Sequence, residues 1–104
     1  MKDAFFLGSS LADLRNFPAE ARNEAGFQLR RVQSGLDPEN WKPMQGIGAG
    51  VREIRIHEKG AFRVIYLATR PEGVYVLHCF QKKTQKTSQQ DINMARQRYR
   101  LIGE

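Results

Sequence analysis

The sequence predicts a mixed α and β protein whose helices and strands are segregated along the chain. Three observations carry this. Apolar residues recur at helical spacing before residue 35, three strand-like runs lie together between residues 51 and 81, and a second helical stripe follows residue 88. A length of 104 residues makes one domain, residues 1–104, the expectation, because chains of this size build a single core.

In order along the chain, "KDAFFLG" reads as a short strand ending at Gly8. Ser10 followed by Asp13 has capping-box spacing, so a short helix is predicted, with Leu11, Leu14 and Phe17 as its apolar stripe. Pro18 ends that helix and suits the first turn of the next. Ala21, Ala25, Leu29 and Val32 then bury one face of a second helix, which Gly35 can close. Two helices so close in sequence are expected to pair as an antiparallel hairpin. "LDPENWKPMQGIGAG" reads as a loop; its G-I-G-A-G leads into a strand, which denies a bound phosphate the helix N-terminus that a phosphate-binding turn supplies.

Strands are predicted at Val51 to His57, Ala61 to Thr69 and Gly73 to Gln81. In the first, Ile54 and Ile56 alternate with Glu53, Arg55 and His57, leaving one face buried and one open. "VYVLHCF" is apolar on both faces and belongs inside the sheet. Ser88 and Asp91 repeat the capping-box spacing, and Ile92, Ala95 and Tyr99 form the inner stripe of a last helix.

Composition narrows the function. The 40% hydrophobic and 27% charged residues are those of an ordinary globular protein. No window approaches the roughly 18 apolar residues of a membrane span, and "MKDAFFLGSS" does not read as a signal peptide. The single Cys79 lies in the most apolar run, which fits a buried thiol in a reducing cytoplasm. With only His57 and His78 beside it, the ligand set of a structural zinc site is missing, so metal-free chemistry without a cofactor is expected. The net charge of +6 is uneven: residues 82–104 hold six basic and two acidic groups, and residues 1–81 hold eleven and nine. That asymmetry points to a polyanion, nucleic acid above all, with a merely basic surface as the alternative.

The turn at Glu58, Lys59 and Gly60 sharpens this. A three-residue loop with Gly60 in the left-handed position sets His57 against Ala61, Ile56 against Phe62 and Ile54 against Val64. It also sets Arg55 against Arg63 on the open face, where like charges repel. Two readings follow: a pair neutralised by Glu53 and solvent, or an anion site. Lys82 and Lys83, at the end of the neighbouring strand, add weight to the second. His78 turns inward with Phe80 by strand alternation and reads as structural.

The order "E-x-R … F-R-V-I-Y … L-H-x-F-x-K-K-T", followed by "DINMARQRY", resembles the RelE/HigB superfamily of bacterial and phage toxins, and within it the phage-derived HigB-like branch. The resemblance implies a compact RelE/ParE-like α+β fold, with an N-terminal helical hairpin packed on one face of a small twisted antiparallel sheet and a C-terminal helix. It implies a type II toxin that cuts messenger RNA on the ribosome, and a cognate antitoxin, usually a helix-turn-helix DNA-binding protein. The family's strand arginine falls on Arg63 and its basic pair on Lys82 and Lys83; Arg55 matches less closely. The position at which some relatives carry a tyrosine or histidine near the scissile phosphate falls here among Thr87, Ser88 and Gln89.

Attack of a 2′-hydroxyl on the adjacent phosphate needs no catalytic serine, because RNA carries its own nucleophile. A guanidinium suits the growing negative charge, which makes Arg63 the expected stabiliser. Crowded cations favour a neutral lysine, which makes Lys83 or Lys82 the expected acid or base. Lys86, Arg96, Arg98 and Arg100 are expected to hold ribosomal RNA backbone. The rival readings are a ParE-like gyrase inhibitor and a binding module of the same fold without chemistry.

Overall fold

The computed structural model describes residues 1–103. Its elements are β1 (Asp3–Phe6), α1 (Ser10–Arg15), α2 (Ala19–Gln33), β2 (Trp41–Pro43), β3 (Val51–His57), β4 (Ala61–Leu67), β5 (Gly73–Lys82) and α3 (Gln89–Ile102). The predicted α+β fold is the observed one: N-terminal helices after a first strand, a five-stranded sheet ordered β1-β5-β4-β3-β2, and a C-terminal helix.

The sheet is mixed where a purely antiparallel one was expected. β1 runs parallel to β5, Asp3 opposite Gly73 through Phe6 opposite Val76. Strands joined by tight hairpins must be antiparallel, but β1 and β5 are separated by most of the chain, so no turn dictates their direction. β2 is a further addition, lying within the segment read as a loop and pairing Lys42 with Glu53. Three residues are too few for a period-two pattern, and Pro43 is tolerated because β2 is an edge strand.

The β3–β4 register is the predicted one: Ile54 meets Val64, Arg55 meets Arg63, Ile56 meets Phe62 and His57 meets Ala61. Within the turn, Lys59 takes the left-handed φ of 57° expected for Gly60, while Gly60 adopts φ 149°. Between β4 and β5 a bulge opens after Ile65, so that Ile65 faces His78 and Tyr66 faces Val76.

Two apolar layers sandwich the sheet. Leu14, Phe17, Ala21, Ala25, Leu29 and Val32 of the N-terminal helical region pack on Ile54, Ile56, Phe62, Val64 and Tyr66. On the reverse face, Ala95 of α3 packs with Ile65, Leu67 and Leu77, and Ile92 and Tyr99 flank them. α1 starts at Ser10, the residue expected to cap it, so the cap position falls one residue earlier: Ser9 donates to Asp13 Oδ2 at 2.8 Å, while buried Ser10 donates to the Val76 carbonyl at 3.3 Å. α3 is capped as predicted, with the Asp91 amide donating to Ser88 Oγ at 3.1 Å.

Candidate functional site

Antiparallel pairing puts directly opposed side chains on one face, so the registers build the site row by row. Lys42, Glu53, Ile65 and His78 form one row across β2 to β5. Arg55, Arg63 and Phe80 form the next, and His57, Ala61 and Lys82 the last. All lie on the face that α3 covers, and the charged rows occupy the end where β5 runs out into the basic segment before α3.

Glu53 is the centre of this cluster and is wholly buried. Its Oε1 lies 3.5 Å from Arg63 Nε and 4.0 Å from Lys42 Nζ. Its Oε2 accepts from Thr87 Oγ1 at 2.9 Å. Arg63 itself is only 4% exposed, which corrects the expectation that it lies on an open face outside the packed interior. Its Nη1 donates to its neighbour's carbonyl, Phe62 O, at 2.9 Å. Burial lowers the Arg63 pKa first, Glu53 opposes that shift and Arg55 adds to it; a guanidinium nevertheless stays charged.

Among the described residues, three buried side-chain atoms have no hydrogen-bond partner: Glu53 Oε1, Arg55 Nε and Arg63 Nε. All three belong to this cluster. Arg63 Nε and Glu53 Oε1 face each other at 3.5 Å as an ion pair without a hydrogen bond, so the donor in the cluster left with no acceptor at all is Arg55 Nε, and a buried donor without an acceptor is costly. A recess of about 200 Å³ lined by Val32, Leu36, Arg52 and Tyr66 lies on the opposite face, away from these cations.

Lys82 shares the face of Arg63 and Phe80, and its pKa is lowered, by desolvation first and then by Arg63, with Lys42 and Arg55 adding and Glu53 opposing. Lys83 lies past the end of β5 and is exposed, as is Lys86. The structure therefore brings Arg55, Arg63 and Lys82 together, adds Lys42, and leaves Lys83 at the rim. Sequence reading missed Lys42 because the three residues of β2 carry no pattern.

The helix arginines separate. Arg100 is exposed, while Arg96 is half-buried and donates from Nε to the Gly46 carbonyl at 3.0 Å. Arg98 is buried, which overturns its expected place on an RNA-facing surface. It donates to Leu77 O at 2.9 Å and Ser9 Oγ at 3.0 Å, filling the space beside Gly8, where a Cβ would come within 2.5 Å of its Nε. The acceptors come from β5 and the turn before α1, so no periodicity in α3 could reveal them. His78 is inward as expected: its Nε2 lies 2.7 Å from Asp91 Oδ1 and its ring stacks on Phe80 at 5.0 Å.

Residues 12–100 match the family described as phage-derived protein Gp49-like. The chain belongs to that family. The Gp49-like family is a HigB-like family of RelE-superfamily toxins, so the resemblance read from "FRVIY" and "KKT" is borne out. The matched span runs from α1 into α3 and contains every strand of the cationic cluster. A Gp49-like toxin implies a cognate antitoxin. No curated protein matches the chain. Among the described residues, no helix is long and apolar enough to cross a membrane.

Proposed function

We propose that this Gp49-like toxin is a ribosome-dependent mRNA endoribonuclease, active in the cytoplasm and held inactive by a helix-turn-helix antitoxin. The observation that carries the reading is the convergence of Arg55 and Arg63, neither with a hydrogen-bonded Nε, beside Lys82 on one face of the sheet.

Cleavage begins with attack of a 2′-hydroxyl on the adjacent phosphate. Arg63 and Arg55 stabilise the charge that builds on the phosphate oxygens, an interaction that strengthens in the transition state. Lys82, whose pKa is depressed, takes the hydroxyl proton or supplies one to the leaving 5′-oxygen. Lys83, Lys86, Arg96 and Arg100 hold RNA backbone around the site, and Arg98 stays with the fold. RNA supplies the nucleophile, so the chemistry requires no metal or cofactor.

Translation in a purified system, with RNA ends mapped, tests this. The expected outcome is cleavage within codons that depends on the ribosome. Inhibition of supercoiling by gyrase with messages intact would favour the ParE-like alternative, and binding without any cleavage the module that has lost its chemistry.

A further inference from the structure

The unpaired segment from Lys83 to Ser88 joins β5 to α3 and carries two of the basic side chains assigned to RNA. Such a segment needs an anchor if its lysines are to keep a fixed place beside β4. Thr84 Oγ1 bonds within the segment, to Lys86 O, and Ser88 caps α3. The bond from Thr87 Oγ1 to Glu53 Oε2 differs: it crosses 34 residues to the middle of β3. The other oxygen of the same carboxylate faces Arg63 and Lys42.

We propose that Glu53 is a positioning residue, which uses one oxygen to orient Arg63 and the other to tether Thr87, and so fixes the basic segment against the arginine pair. Glu53 touches no substrate in this arrangement. A wholly buried carboxylate is costly unless cations and donors surround it, and here those groups come from β2, β4 and the segment before α3. Moving any of them disturbs the rest, so the carboxylate sets the distance between the charge stabiliser on β4 and the lysines beyond β5. The inference rests on the nuclease reading for its catalytic consequence, though not for the tether.

Thr87→Val removes the hydroxyl while preserving shape, and Thr87→Ser restores it. Single-turnover cleavage of ribosome-bound message and amide hydrogen exchange over residues 83–88 are measured for both variants and for the native chain. Thr87→Val is expected to slow cleavage at saturating ribosomes about 10-fold to 100-fold. Its half-saturating concentration should stay within about twofold, because positioning acts on the chemical step. The same variant should exchange faster over 83–88, and Thr87→Ser should recover both properties. Native exchange in Thr87→Val would overturn the tether. Faster exchange with a native cleavage rate would overturn the positioning role. If the native chain does not cleave, the nuclease reading and the catalytic role both fall, and the exchange arm still decides the tether.

Discussion

Arg55 and Arg63 face each other directly across the β3–β4 pair, and the Nε of each is buried without a hydrogen bond. Like charges in that position destabilise a sheet. Glu53 offsets part of the repulsion from its place beside Arg63, two residues before Arg55 on β3, where its Oε1 faces Arg63 Nε at 3.5 Å, but it leaves Arg55 Nε without an acceptor. The relationship leaves Arg55 Nε as a buried donor that an incoming anion would satisfy.

Arg63→Ala should fail twice. It removes a charge stabiliser, typically a loss of about 10²-fold to 10³-fold in rate. It also leaves Glu53 buried without its nearest cation, on the order of 3 kcal/mol of stability. Arg63→Lys separates the two effects: it restores a cation for Glu53 without the planar fork that grips two phosphate oxygens. Thermal unfolding near native with cleavage still strongly reduced is the expected result, and native cleavage by Arg63→Lys would remove the guanidinium from the chemistry.

Lys82 should titrate below the usual lysine value of 10.5, because desolvation and nearby Arg63 disfavour its charged form. Removing Arg63, as in Arg63→Gln, relieves a repulsion and should move the Lys82 titration to higher pH in an NMR titration of its side chain. If Lys82 is the base, the rising limb of the cleavage–pH profile tracks that titration. Lys82→Arg cannot exchange a proton and should cleave far more slowly, whereas Lys83→Arg at the exposed rim should stay close to native.

Arg98 and the exposed pair Lys86 and Arg100 should respond oppositely. Arg98→Ala strands the Leu77 carbonyl and empties the space beside Gly8, a loss of about 2–3 kcal/mol. In a chain of this size that lowers the melting temperature by about 4–8 °C per kcal/mol. Lys86→Gln combined with Arg100→Gln should leave melting unchanged and flatten the salt dependence of ribosome association, since fewer counterions are released. An unchanged salt slope would make both residues merely a solvated surface.

Cys79 should be inert in the folded protein. Burial pushes its thiol up to about 12, so the reactive thiolate is scarce at neutral pH. Alkylation at pH 8 is expected to proceed only at the rate of unfolding, which a denaturant series can read. Rapid modification of the folded chain would place Cys79 at an accessible surface.

By itself the sequence determined the secondary structure around the site and the pairing of its two arginines. Alternation of Ile54 and Ile56 with charged residues, set against Phe62 and Val64, permits one register that keeps the apolar side chains together. Spacing alone also placed the buried stripe of α2, the cap of α3 and the inward turn of His78. Tertiary structure decided which charges share an environment. Lys42 reached Glu53 through a strand too short to show a period, Thr87 through a contact spanning 34 residues, and Arg98 left the surface for acceptors as far away as Ser9. Periodicity tells which face a side chain takes on its own element. What covers that face, and whether a charge there meets water or a buried carboxylate, is settled only when segments distant in sequence pack together.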